Sequence, residues 1–283
     1  MITPATLHRT VSAALEEDAP WGDITSIALL PADAHATADL IAREAGVFSG
    51  GEVFAAAFTI TDPSVQVDLH VADGDRFDEG DALASVSGPA RSLLTAERVA
   101  LNFTQRMSGI AALTAAYTDA VAGTGVRIAD TRKTTPGLRE FERHAVVSGG
   151  GSNHRRSLSD AVMAKDNHLE VLRQGGRDLA SALREALARL PHTTHVVVEV
   201  DRLDQIPAVL DGGADTVLLD NFSLDDLRTA VGVLAGRATA EASGGVTLDT
   251  VRAIAETGVQ VISVGALTHS ARALDLGLDL RIA

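Results

Sequence analysis

The chain has 283 residues, is 46% hydrophobic but only 3% aromatic, and carries a formal net charge of −14. That length allows one large α/β domain or two modest ones, and so acidic a balance leaves no basic stripe to offset nucleic-acid phosphates. There is no cysteine, which excludes disulfides, thiolate nucleophiles and thiolate metal sites.

The opening residues Met1-Ile2-Thr3-Pro4 lack the basic region and apolar core of a signal peptide. No stretch approaches the ~18 apolar residues of a membrane span, so the expectation is a cytoplasmic enzyme. Thr3-Pro4 predicts a helix start, with Pro in the first turn and an end near Glu17. Asp18 to Asp23 is turn chemistry. A strand is predicted from Ala36 to Arg43, and a helix within the apolar segment Val47 to Phe58. Val65, Val67, Leu69 and Val71 alternate with polar residues at the period of a half-buried strand. Two turns follow, Asp73-Gly74-Asp75 and Glu79-Gly80-Asp81. Their pattern is similar to the small β-sandwich of lipoyl and biotinyl carriers, in architecture only, because no lysine stands at the turn. Ala90 to Ala122 reads as two helices broken near Ser108-Gly109.

A repeat then begins. Apolar strand candidates end near Ala129, Ala164, Val198, Leu219, Ala240 and Val264. Helical apolar spacing fills Leu179 to Leu190, Leu203 to Leu210, Leu224 to Leu234 and Leu248 to Glu256. Strands alternating with helices imply an α/β fold with a parallel sheet. Six units are visible rather than eight, which predicts an incomplete, six- to seven-stranded parallel β/α barrel.

Of the 24 basic residues, 22 are arginine; the two lysines, Lys133 and Lys165, each follow an apolar run and open a dense polar signature. Strand ends carry Thr131-Arg132-Lys133, Lys165-Asp166, Glu199, Asp220-Asn221, Ser243-Gly244-Gly245 and Gly265-Ala266-Leu267, and in a parallel β/α barrel these ends converge on the functional face. Taken singly, Asp220 or Ser243 is as readily a helix cap. Together they describe cations for a polyanion, Glu199 and Asp220 for sugar hydroxyls or a bridging Mg²⁺, and backbone N–H cradles for phosphate. Arg132, Lys133, Arg139, Arg143, Arg155, Arg156 and Lys165 form a cationic stretch within the acidic chain. Arg139 and Arg143 read better as a solvated helix face. The run Ser148 to Arg156, with three glycines before Asn153-His154-Arg155, is either a linker or a substrate-covering loop, and the second reading is preferred. Of nine histidines, only His154, His168 and His269 fall in these signatures; no zinc site is expected.

The sequence resembles the quinolinate phosphoribosyltransferase (decarboxylating) family. The matching stretches are Glu17-Asp18 with Gly22 to Thr25, Thr95 to Arg98 with Leu101-Asn102, Asp130 to Gly137, Gly149 to Arg155, Lys165 to His168, Glu199-Val200, Leu219 to Asn221, Glu241 to Gly245 and Val264 to Thr268. Ala164 departs from the larger aliphatic residue usual before that lysine. The resemblance implies an N-terminal α/β sandwich, residues 1–109, and an open barrel bearing the active site, residues 110–269, with the tail 270–283 returning to the first domain. It implies transfer of a phosphoribosyl group from phosphoribosyl pyrophosphate to quinolinate with decarboxylation, Mg²⁺ as cofactor, and a head-to-tail homodimer. Assembly of dimers into hexamers stays open.

By position, Arg98, Thr131, Arg132, His154, Arg155 and Lys165 would hold quinolinate, Arg98 coming from the partner subunit. Lys133, Glu199, Asp220, Ser243, Gly244, Gly245, Gly265, Ala266 and Leu267 would hold the phosphoribosyl pyrophosphate. Lys133, Lys165, Glu199 and Asp220 are the expected catalytic groups, with Glu199 and Asp220 as candidate Mg²⁺ ligands. Three alternatives remain: a same-fold paralogue linked to molybdate transport operons, a Schiff-base aldolase using Lys165 or Lys133, and a non-catalytic anion-binding protein.

Overall fold

The computed structural model describes residues 2–282. Met1, in the opening stretch considered above, and Ala283, at the end of the predicted tail, lie outside the described residues. The chain divides into two units: Met1–Ala115 with Thr134–Gly150 and Ala266–Ala283, and Ala116–Lys133 with Gly151–Gly265.

In the first unit, helix α1 (Pro4–Asp18) is capped by Thr3, whose hydroxyl accepts the Thr6 N–H at 3.2 Å. A short helix, α2 (Ile24–Leu29), follows the expected turn, in a stretch to which the sequence assigned no element; Asp23 caps it by accepting the Ser26 N–H at 3.0 Å. Strand β1 (His35–Ala42) buries Ala36, Ala38, Leu40 and Ala42 on one face. Val47 belongs to a short strand, β2 (Gly46–Val47), so helix α3 (Gly51–Thr61) starts later than its apolar run suggests. Its orphan N–H groups at Gly50 and Gly51 donate to the Asp73 carboxylate at 3.0 Å, a cap supplied from a distant turn. Strands β3 (Gln66–Leu69), β4 (Arg76–Phe77) and β5 (Ala82–Pro89) follow.

Helix α4 (Ala90–Ala120) is one unbroken helix of 31 residues, not two. Gly109 is there for close approach and not as a break: a Cβ would fall on the Arg272 carbonyl oxygen. After β6 (Arg127–Ala129) comes α5 (Arg139–Ser148), which groups with the first unit. Its buried Glu142 accepts from Arg106 at 2.9 Å and from the Thr135 N–H at 3.0 Å.

The second unit adds β7 (Val162–Ala164), α6 (Asp166–Arg173), α7 (Leu179–Leu187), β8 (Val196–Val200), α8 (Ile206–Asp211), β9 (Thr216–Asp220), α9 (Leu224–Leu234), β10 (Thr239–Ser243), α10 (Leu248–Ala255) and β11 (Val261–Ser263). A one-turn helix, α11 (Ala266–His269), and strand β12 (Leu276–Ile282) return to the first unit. There, the antiparallel sheet has the order β12-β1-β5-β3.

The second sheet is parallel throughout, ordered β6-β11-β10-β9-β8-β7 and not closed. A single bridge from Ala129 to Ser152 continues it beyond β6. Ala240, expected near a strand end, stands near the start of β10. The register sorts its residues onto two faces, since paired residues of parallel strands point the same way. One face carries Ile128, Val196, Val198, Val200, Val217, Leu219, Ala240, Ala242 and Ile262, all buried. The other carries Glu199, Asp220, Glu241, Ser243 and Ser263 among smaller apolar residues. No helix among the described residues is long and apolar enough to cross a membrane.

Candidate active site

The polar face of the second sheet delivers its charged residues to the carboxy-terminal ends of the strands, where a parallel β/α sheet exposes them together. After β6, the Thr131 hydroxyl accepts the Lys133 N–H at 3.1 Å, a local turn that leaves Lys133 exposed and Arg132 half-buried. The Arg132 Nε is buried and has no hydrogen-bond partner among the described residues. An unpaired buried N–H costs free energy until an acceptor reaches it.

After β7, Lys165 contacts Glu199 of the neighbouring strand β8 in a direct ion pair. His168, from the same signature, is occupied locally: its Nδ1 faces the Lys165 backbone N–H at 3.1 Å at the start of α6. At the end of β9, Asp220 accepts from the Asn221 amide at 2.8 Å. Asn221 is left-handed at φ 57° and donates its backbone N–H to the Ser243 carbonyl at 2.9 Å. Gly244, at φ 96°, has no room for a side chain, because a Cβ would meet the Asn221 carboxamide. The Asp-Asn and Ser-Gly-Gly turns therefore interlock. Helix α10 begins only at Leu248 and caps itself through Thr247 and Thr250, so the glycine turn stands apart from that helix end.

His154 and Arg155 enter on the loop after the Ser152 bridge. The His154 backbone N–H donates to the fully buried Asp130 at 2.7 Å, and Arg155 donates from Nη1 to the Ala161 carbonyl at 3.0 Å. Burial and the neighbouring Arg132 guanidinium push Arg155 below the usual arginine range, against an opposing pull from Asp160. A guanidinium whose charge is disfavoured by burial and by a second guanidinium makes a site that gains by admitting an anion. The glycines before them are packed, unlike a free cover: a Cβ on Gly149 would fall on the Ala111 carbonyl oxygen, and Gly150 is left-handed at φ 82°.

The second unit thus brings together the ends carrying Thr131, Arg132, Lys133, Lys165, Glu199, Asp220, Ser243, Gly244, Gly245 and Gly265, with His154 and Arg155 on the adjoining loop. Ala266, Leu267 and Arg98 group with the first unit. Leu267 is fully buried, so its side chain has no substrate to meet, while Arg98 is exposed on α4. A cavity of about 440 Å³ lies under the strand ends and reaches the His154–Arg155 loop. Its lining includes Arg127, Thr216, Thr239 and Val261, the first residues of their strands, with His154, Arg155 and Glu241.

The sequence reading gave no role to Asp130, Glu241 or Ser263. Glu241 is buried at 3% exposure and contacts both the Ser263 hydroxyl and His154 Nε2. The available signal was its position: a carboxylate two residues before Ser243 shares that residue's face. Among the described residues no three His, Asp or Glu side chains gather as a metal site. Glu199 and Asp220, from adjacent strands, offer a two-carboxylate donor set. That set fits a Mg²⁺ which takes its remaining ligands from water and phosphate oxygens.

Two family models match the chain: the N-terminal domain of quinolinate phosphoribosyl transferase over residues 23–108 and its C-terminal domain over residues 110–279. Nicotinate-nucleotide pyrophosphorylase (carboxylating) of Mycobacterium leprae is 43% identical over 96% of this chain and 96% of its own length. A mitochondrial quinolinate phosphoribosyltransferase (decarboxylating) of Nicotiana tabacum is 40% identical over 97% of this chain and 82% of its own. The crystal structure of NadC from Streptococcus pyogenes superposes with a TM-score of 0.94 at 40% identity, covering 100% of this chain and 99% of that one.

Proposed function

The chain belongs to the quinolinate phosphoribosyltransferase family, and from that premise we propose which of its residues perform the family's reaction. The enzyme transfers the phosphoribosyl group of phosphoribosyl pyrophosphate to quinolinate with decarboxylation, giving nicotinate mononucleotide, pyrophosphate and CO₂ in NAD biosynthesis. The observation that carries the residue assignment is the Arg132–Arg155 pair, two partly buried guanidiniums of which Arg132 disfavours the charge on Arg155, with the Arg132 Nε awaiting an acceptor. A pyridine dicarboxylate answers both, since each carboxylate accepts paired N–H bonds from one guanidinium. Thr131 and His154 stand beside them. Lys165, already against Glu199, lies where the diacid meets the ribose.

Glu199 and Asp220 face the sugar and stabilise positive charge as it develops at the anomeric carbon. Lys133 offsets charge on the departing pyrophosphate, and the backbones of Ser243 to Gly245 and Gly265 to Leu267 hold phosphate oxygens. Bound Mg²⁺, held by Glu199, Asp220 and the substrate phosphates, would add positive charge beside those same oxygens. The pyridine nitrogen is itself the nucleophile, so the chain's task is to align two anions. The ion pair at Lys165 speaks against an aldolase, whose lysine must be a neutral amine.

A homodimer with shared sites belongs to the same reading. Trp21, Ile24, Ile27 and Leu29 are exposed at 91%, 76%, 56% and 75%, an apolar patch of the kind that partners cover. Arg91 of α4 donates to the Ile27 and Leu30 carbonyls at 3.2 Å, and Thr95 reaches Asp23. Arg98 follows on that helix face, so a second copy seated on the patch would meet it. Mixing Arg98→Ala and Arg132→Ala chains should restore part of the activity that each lacks alone; mixtures that stay inactive would remove Arg98 from the partner's site. A cytoplasmic location completes this reading. The direct assay is purified protein with Mg²⁺, quinolinate and phosphoribosyl pyrophosphate, followed for nicotinate mononucleotide. Nicotinate as sole acceptor should give no product, and product from it alone would overturn the assignment.

A further inference from the structure

Beneath the strand ends lies a chain of contacts that the reaction as described leaves unused. The Glu241 carboxylate, with a side chain 4% exposed, contacts the Ser263 hydroxyl and stands 3.2 Å from His154 Nε2. On the other side of the same ring, His154 Nδ1 accepts the Arg155 backbone N–H at 2.7 Å. Both ring nitrogens therefore have protein partners. An ionised carboxylate can only accept hydrogen bonds, so it requires the proton on Nε2. That leaves Nδ1 bare for Arg155, and the imidazole neutral. A doubly protonated ring would set Nδ1–H against the Arg155 N–H, donor against donor.

We propose that Glu241 is a positioning residue: through the His154 ring it fixes the backbone from which Arg155 reaches the diacid, and His154 is a strut and not a ligand of that diacid. The inference rests on Arg155 being a quinolinate ligand, as assigned above. The need for a strut follows from charge. Arg132 and Arg155 repel each other before substrate arrives, so Arg155 must be held at both ends. The Ala161 carbonyl takes the guanidinium, and His154 takes the backbone. Asp130 completes the restraint by accepting the His154 N–H. Glutamine at position 241 would keep the volume and one acceptor oxygen, yet could turn its NH₂ toward the ring and so no longer dictate where the proton sits.

The test combines kinetics with ¹⁵N spectra of the histidine rings, His154 being assigned by its disappearance in His154→Gln. The intact enzyme should show a neutral ring protonated on Nε2, and Glu241→Gln should lose that single pattern while folding normally. Glu241→Ala should raise KM for quinolinate about ten- to a hundredfold, as expected when a buried hydrogen-bond partner is removed. KM for phosphoribosyl pyrophosphate and kcat should stay within about twofold. Adding His154→Ala to Glu241→Ala should cost nothing more, since both cut one connection. A cationic His154 ring would overturn the proposal, as would a Glu241→Ala enzyme in which both KM values rise together. If Arg155→Ala leaves KM for quinolinate unchanged, the ligand assignment fails and this inference falls with it. If Arg155→Ala raises it and Glu241→Ala does not, only the strut is wrong.

Discussion

The two sheets of this chain use residue alternation in opposite senses. In the first, β1 turns its aliphatic side chains to one buried face and its polar ones, such as His35, outward. In the second, the aliphatic set, Val198, Val217, Leu219 and Ile262 among it, takes one face of the strands, and the opposite face carries Glu199, Asp220, Glu241 and Ser263. Burying polar groups is costly unless each finds a partner. A face that keeps one carboxylate deep and two nearer its rim is therefore organised for binding, and stability comes from the other face.

The sharpest way to break that contrast is to change one face at a time. Arg132→Ala should lower kcat/KM for quinolinate by about 10³-fold, as befits loss of a paired carboxylate contact. Thermal unfolding should stay within about 2 °C, because a partly exposed rim residue contributes little to packing. A large drop in melting temperature would show that the polar face carries stability after all. Leu219→Ala, on the aliphatic face, should do the reverse: about 3 kcal/mol lost in denaturant unfolding, with activity per folded molecule kept.

The smallest effect belongs to the first unit. Hydrogen bonds from Arg272 and from the Asp275 backbone N–H hold the Glu44 carboxyl down to about 2, well below the usual glutamate range near 4.5. A depressed carboxylate contributes stability above its unfolded value, lost as pH falls from about 4.5 toward 2. Arg272 is 70% exposed, so solvent screening limits the gain to less than about 1 kcal/mol. Glu44→Gln should lower stability at neutral pH by about that amount, flatten the acid limb, and leave the strongly acidic end of the curve almost untouched.

Much of the second unit was legible because a strand–helix repeat writes its period into the sequence, and α9 runs over the stretch its spacing indicates. The strand-end residues were legible for the same reason. Misread elements depended on partners far along the chain. Gly109 looks like a break until Arg272 is seen against it. The start of α3 is set by Asp73, and nothing local to Val47 announces its pairing with β4. Glu241 was passed over because the sequence shows a carboxylate but hides what it touches.

Strand β12 pairs with β1 from Ala42↔Leu276 to Ala36↔Ile282, and the ion pair between Arg43 and Asp279 joins positions 236 residues apart. A ribosome makes β1 early and β12 late, with every strand of the parallel sheet between them. The first sheet must then wait, an edge open, while the later-made unit already has all its strands. Folding order thus runs against translation order, and shortening the last dozen residues would be felt by the segment synthesised first.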